Sequence, residues 1–212
     1  MYPKGNLFIP ASHGQLEAII KEPTGPRRGV ALVCHPHPLG GGTMHNKVVF
    51  RAAAGLVDAG LTTLRFNFRG VGASTGVHNE LEGGVEDVRD ALNYLKTEFP
   101  GEDITLAGFS FGSRTGMEVG VADDDVERLI SIGTPVEKYN DYDFLAAVKK
   151  PILFVHGDED EFCSVGGLRS LTDRIPQAEV VIFANCGHFF DNDLNELRGT
   201  IRDWTEKQLL NN

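Results

Sequence analysis

Gly108-Phe109-Ser110-Phe111-Gly112 sets a serine between two glycines, the spacing at which a hydroxyl can be held up from a sharp strand-to-helix turn. Glycines suit both flanks because a side chain at either would collide with neighbouring backbone in so tight a turn. Ser110 is therefore the candidate nucleophile. A serine hydroxyl is a weak nucleophile alone and needs a base, itself oriented by an acid. Both are available downstream. Asp158-Glu159-Asp160-Glu161 offers carboxylates in a polar turn, of which Asp160 is the favoured acid and Asp158 or Glu161 the rivals. Asn185-Cys186-Gly187-His188-Phe189-Phe190 places His188, the favoured base, in a loop.

Each of these groups sits where a strand should end. Ile104-Thr105-Leu106-Ala107, Pro151 to Gly157 and Val180 to Phe183 are short apolar runs of the kind that forms buried parallel strands. Val30 to Val33 starts the parallel core, preceded by an antiparallel pair, Phe8-Ile9 and Leu16 to Ile20, around Ser12-His13-Gly14. Helical stripes alternate with the strands. Val48, Val49, Ala52, Ala53, Leu56 and Val57 make one, ended by Gly60. Val85, Val88, Leu92, Leu95 and Phe99 make a second, and Leu194, Leu197, Ile201 and Trp204 a third. Gly133 to Pro151 has room for a turn and one short helix, too little for a cap. The expected fold is α/β, a mostly parallel central sheet with helices on both faces, in a single domain over 1–212.

Further segments extend the pattern: Cys34-His35-Pro36-His37-Pro38 with Gly40-Gly41-Gly42-Thr43-Met44, Asn67-Phe68-Arg69-Gly70-Val71-Gly72-Ala73-Ser74, and His156-Gly157. With these and the order Ser110, Asp160, His188, the chain resembles the α/β-hydrolases. More narrowly it is similar to the small dienelactone-hydrolase-like serine hydrolases and esterases without a large cap. The likeness covers nearly the whole chain. It implies Ser110 as nucleophile, Asp160 as the acid and His188 as base. Ser110 departs from the cysteine that dienelactone hydrolases place at the elbow. The implied activity is cofactor-independent hydrolysis of small carboxylic esters or thioesters. An acyltransferase or peptidase with the same triad, and a non-catalytic ligand-binding protein on this fold, are the alternatives.

An acyl intermediate carries an oxyanion that needs backbone donors. Phe111, opening the helix after the elbow, is the first. Pro36 and Pro38 have no N–H, so the second falls to His37, Leu39 or a glycine of 40–42. The resemblance favours His37.

Competing motifs are weaker. His35, His37 and His45 are not read as a metal site, because no helical His pair exists and adjacent prolines fix the backbone. Gly70 to Gly76 lacks the apolar helix start of a dinucleotide loop. No cofactor or metal is expected. Arg69 reads as a structural hydrogen-bond hub, while Arg114 fits a place over the site or a solvated position. The 212 residues, 41% hydrophobic and 24% charged, suffice for a sizeable core. A net charge of −10 disfavours nucleic acid and anionic membranes and makes a neutral or cationic small molecule the easier substrate. No apolar run approaches the ~20 residues of a membrane span. Met1 to Asn6 leads into no signal-peptide core. A cytoplasmic protein with a small ester substrate is expected, with room for a homodimer. Cys34, Cys163 and Cys186 do not make a disulfide framework.

Overall fold

The structure is a computed structural model, and it describes residues 6–210. Residues 1–5, on which most of the signal-peptide reading rests, lie outside the described residues. In chain order the strands are β1 (Asn6–Ala11), β2 (Gly14–Lys21), β3 (Val30–Cys34), β4 (Thr62–Phe66), β5 (Ile104–Phe109), β6 (Val126–Ile132), β7 (Ile152–Gly157) and β8 (Ala178–Phe183). The helices are α1 (Lys47–Asp58), α2 (Glu80–Glu98), α3 (Phe111–Ala122), α4 (Val136–Tyr139), α5 (Val165–Thr172) and α6 (Leu194–Leu209). The strands form one sheet in the order β1-β2-β4-β3-β5-β6-β7-β8, with β2 antiparallel to both its neighbours, β1 and β4, and every other neighbouring pair parallel.

Alternation along the strands explains the two cores. In β3, Val30, Leu32 and Cys34 face the cluster built with Val88 and Leu92 of α2, Met117 of α3 and Leu168 of α5. Ala31 and Val33 face the opposite cluster with Ala52 and Leu56 of α1 and Ile201 and Trp204 of α6. A strand covered on both faces can be apolar throughout, and all five residues of β3 are buried. All three helical stripes read from the sequence lie on helices that cover the sheet. Between Gly133 and Pro151 the chain makes two short elements, α4 and a 3₁₀ turn at Asp143–Ala147, rather than one.

This topology also fixes where chemistry can occur. The chain leaves β3 toward β4, then crosses back to place β5 on the other side of β3. Ligands of open α/β sheets bind outside the carboxyl ends of the strands at such a reversal. Cys34, the last residue of β3, pairs with Gly108 in β5, so the 35–42 loop and Ser110 emerge side by side.

On the far face α1 and α6 touch through a glycine. A Cβ on Gly55 would lie 2.5 Å from the Arg198 carbonyl and 3.3 Å from Ile201. The Arg198–Asp58 pair beside it, at 2.6 and 2.8 Å, is partly exposed and adds little. Alanine gains about 1 kcal/mol over glycine in an open helix, but pushing two packed backbones apart costs about 1–3 kcal/mol. We expect Gly55→Ala to lower stability by about 1 kcal/mol, read as a lower urea midpoint at unchanged m-value. A raised midpoint would show that the helices tolerate the methyl group and pack less closely.

Candidate active site

Ser110 caps the N-terminus of α3 with φ 55° and ψ −117°, a left-handed conformation rare for a non-glycine residue. It is held there from several directions. Its amide donates to the Ile132 carbonyl at 2.9 Å, and its carbonyl accepts from the Ser113 amide and hydroxyl at 2.9 and 2.7 Å. A Cβ on Gly112 would stand 2.5 Å from the carbonyls of Cys34 and His35, and one on Gly108 2.1 Å from the Gly112 carbonyl. The flanking glycines thus permit the backbone contact that the sequence pattern demands. Ser110 is half-buried and lines a cavity of about 350 Å³ together with His188.

Asp160 and His188, 28 residues apart in sequence, meet at the ends of β7 and β8. Asp160 Oδ2 lies 2.7 Å from His188 Nδ1, with both side chains buried. The other carboxylate oxygen of Asp160 accepts from the Phe162 amide at 2.8 Å. The rival acids hold the same loop by its backbone: Asp158 accepts from the Cys186 amide and Glu161 from that of His188. Rings of Phe162, Phe109 and Phe189 stand 4.6, 4.8 and 5.2 Å from the imidazole. On another side is Gly133, where a Cβ would come within 3.0 Å of His188 Cε1. With Nδ1 engaged as the donor to Asp160, Nε2 carries the lone pair. Ser110 Oγ makes no hydrogen bond to it among the described residues.

The loop after β3 is tightly internally bonded. The Leu39 amide donates to His37 Nδ1, those of Gly40 and Gly42 to the His37 carbonyl, and that of Gly41 to the Pro38 carbonyl. Amides 39–42 are therefore engaged. Those of His37 and Phe111 donate no hydrogen bond among the described residues, and the two rings meet at a 60° tilt with centres 5.0 Å apart. Burial, followed by the nearby Lys138 ammonium, holds His37 below the ordinary imidazole range.

His35 is a structural group. Its Nδ1 lies 2.6 Å from the Pro36 carbonyl and its Nε2 accepts from the Phe68 amide at 3.0 Å. Burial lowers its pKa to about 3, so the ring is neutral. The loop after β4 is secured in the same way. Glu17 accepts from Asn67 Nδ2 and the Ala73 amide, and Asn67 in turn accepts from the Met44 amide. A carboxylate of the chain itself thus occupies the Gly70 to Gly76 turn.

Arg69 bonds Asp87, Glu86 and Asn79, the hub expected of it. Arg114 fits neither sequence expectation. It is buried beneath the 136–147 segment, paired with Glu118 and Asp141, and its guanidinium lies 5.3 and 4.6 Å from the ring centres of Tyr142 and Phe144. The cysteines are free and buried, and burial pushes the Cys186 thiol up to about 12, so it is held as a neutral thiol. His78 and Glu80, beside His37, escaped the sequence reading. They lie some forty positions from it, and no spacing links them.

The cavity is lined by Pro36, Leu39, Pro135, Phe162 and Phe189 around the polar groups, with Lys138 at its edge. A groove of about 400 Å³ between β2, β4 and α1 is somewhat larger. It brings no nucleophile to a base, so the chemistry singles out the smaller cavity. Among the described residues no helix is long and apolar enough to cross a membrane.

Comparison with known proteins identifies the family and the fold. The Hydrolase_4 family model, described as "Serine aminopeptidase, S33", matches residues 25–147. An uncharacterized protein of Rickettsia prowazekii is 34% identical over 207 residues, covering 93% of this chain and 87% of its own. An alpha-beta serine hydrolase homologue from Coxiella burnetii superposes with TM-score 0.88 at 37% identity, covering 96% of this chain and 98% of its own. An a/b serine hydrolase without lid from Xanthomonas campestris gives TM-score 0.88 at 31% identity, covering 98% and 97%. The glycine-flanked elbow, the eight-stranded sheet and these relatives together make the chain a member of the Hydrolase_4 family within the α/β-hydrolase superfamily.

Proposed function

We propose that this hydrolase is a carboxylesterase-type enzyme, cleaving small carboxylic esters and thioesters through an acyl-enzyme on Ser110. The observation that carries the reading is the buried 2.7 Å contact of Asp160 with His188, opening on the cavity that Ser110 lines. Asp160 accepts a hydrogen bond from Nδ1–H and so fixes the tautomer with a basic Nε2. As Ser110 Oγ attacks the acyl carbon, its proton passes to Nε2. The carbonyl oxygen becomes an oxyanion that accepts from the amides of Phe111 and His37, at the positive end of α3. The imidazolium then protonates the departing alcohol or thiol. Water repeats the sequence on the acyl-enzyme, with His188 again taking the proton.

The family's aminopeptidase description raises a second reading. A peptide's free N-terminus is an ammonium and calls for a carboxylate in the cavity. Among the described lining residues there is none, and the one full charge is Lys138. Apolar walls of Leu39, Pro135, Phe162 and Phe189 suit an acyl group and supply no acceptor for an amine. The ester reading is therefore favoured over aminopeptidase chemistry.

The nucleophile is tested by labelling. A fluorophosphonate should modify the protein once, at Ser110, and Ser110→Ala should abolish both labelling and all but about 10⁻³ to 10⁻⁶ of esterase turnover. Label retained by the alanine variant would reassign the nucleophile.

For the acid, Asp160→Asn should lower kcat on the order of 10⁴-fold by leaving the wrong tautomer. Asp158→Asn keeps an oxygen for the Cys186 amide and should cost little. The opposite ranking would transfer the role to Asp158.

Acyl length tests the cavity. Each buried CH₂ contributes about 0.8 kcal/mol only where a wall covers it. Leu39, Phe162 and Phe189 are 75%, 43% and 38% exposed, so covering ends near the mouth. We expect kcat/KM on p-nitrophenyl esters to peak between acetyl and butyryl and to fall by octanoyl. A steady rise through dodecanoyl would contradict this.

A further inference from the structure

Beside the cavity, three potential metal ligands converge from distant parts of the chain. His37 Nε2 is 3.6 Å from Glu80 Oε2, and His78 Nε2 is 3.9 Å from Glu80 Oε1. One ligand atom from each residue can be chosen so that all lie within 4.8 Å of one another. The His78 side chain is only 6% exposed, and its Nε2 is buried without any hydrogen-bond partner. Such an orphan costs about 1–3 kcal/mol and calls for an explanation. Glu80 adds strain, holding φ 56° as the first residue of α2 with its carboxylate largely exposed. Tyr139 Oη is a second buried polar atom without a partner, close enough to Glu80 for the carboxylate to help raise its pKa to about 12, after burial.

We propose that His37, His78 and Glu80 bind one divalent transition-metal ion, with zinc the best match, at the rim of the Ser110 cavity. Two imidazoles and a carboxylate are a zinc donor set, and bonds of about 2.0–2.1 Å place tetrahedral ligands about 3.3–3.4 Å apart. The two His-to-Glu separations, made to different oxygens of Glu80, need to close by a few tenths of an ångström and the widest separation in the trio by up to about 1.4 Å, and the exposed Glu80 side chain can move. Lys138 opposes a cation here, but its side chain is exposed and free to swing outward.

Filling the site changes the loop beside Ser110. His37 Nδ1 accepts from the Leu39 amide and caps the 3₁₀ turn Pro38–Gly40, so its proton sits on Nε2. A metal on Nε2 sends that proton to Nδ1, where it faces the Leu39 N–H. Two donors then oppose each other, and the turn loses its cap. His37 lies in this turn, and on the esterase reading its amide serves the oxyanion. The ion therefore slows turnover from outside the triad.

Calorimetric titration of the full-length protein with zinc chloride, with p-nitrophenyl acetate turnover measured at each filling, tests this. Wild type should take up one ion per chain and lose turnover in step. His78→Phe keeps a ring against Phe111, and Glu80→Gln keeps the side-chain length. Both should bind zinc roughly tenfold or more weakly and stay active at the concentration that slows the wild type. Unchanged binding in both variants would overturn the site. Equal inhibition of wild type and His78→Phe would also overturn it, because zinc would then be acting at the Asp160–His188 pair. Full occupancy without loss of turnover would overturn the link to the loop. Were the esterase reading itself to fail, no basal turnover would be seen, while the calorimetry would still decide the metal site.

Discussion

Everything at the site depends on how closely α3 approaches the end of β3. The carbonyls of Cys34 and His35 press against Gly112 at a distance that excludes even a methyl group. With the helix start pinned there and β5 ending at Phe109, the one residue between must turn through a left-handed conformation. That residue is Ser110. A non-glycine in such a conformation costs on the order of 1–3 kcal/mol. The hydrogen bond to Ile132 and the first-turn bonds of α3 offset that cost. In return the hydroxyl stands at a fixed point beside the Phe111 amide.

The same approach ties the elbow to the 35–42 loop, which is held by a network of buried hydrogen bonds. His35 bridges Pro36 and Phe68, and Asn67 bridges Glu17 and Met44. A buried hydrogen bond contributes only about 1 kcal/mol net, but removing one partner leaves the other unsatisfied at about 1–3 kcal/mol. Such a network therefore fixes geometry more than it adds stability. It matters here because a donor must stand within a few tenths of an ångström of the developing oxyanion. On the opposite side, the three phenylalanines and Gly133 immobilise the His188 ring. Two loops about 150 residues apart in the chain thus face one another across a cavity whose walls are already rigid.

Some of this was legible in the sequence because it is enforced locally. Apolar runs of five or six residues, stripes at helical spacing and a serine between glycines each reflect a backbone constraint that few other residues satisfy. The juxtaposition of Asp160 with His188 followed from strand-end position. The choice among four neighbouring carboxylates did not follow from spacing, since Asp158 and Glu161 also engage the 186–188 segment. What stayed hidden depends on contacts through space. Arg114 could be placed only once Tyr142, Phe144 and Asp141 were seen to fold onto it. His35 is adjacent to a candidate cluster in sequence, yet it turns inward to Phe68. His78 and Glu80 belong to a segment that reads as an ordinary loop and helix start, and nothing in it points to residue 37.

Charge shows why a property of the whole chain is a poor guide to its site. A net charge of −10 suggests that neutral or cationic molecules are the easier substrates. Yet the field of surface carboxylates decays over about 8–10 Å in physiological salt, and among the described residues that line the cavity none is a carboxylate, although Lys138 stands at its edge and Glu80 lies 3.6 Å from the lining residue His37. The local charges of Lys138 and Glu80 therefore govern the last step of approach, and the overall charge acts mainly on solubility and distant encounter. Arg114 holds down the segment that carries Lys138. Lifting this segment would expose Tyr142 and Leu145, each worth about 1.5–3 kcal/mol when buried, and would leave a buried guanidinium uncovered. A closing lid is thus disfavoured here, and selectivity falls to the fixed side chains at the mouth.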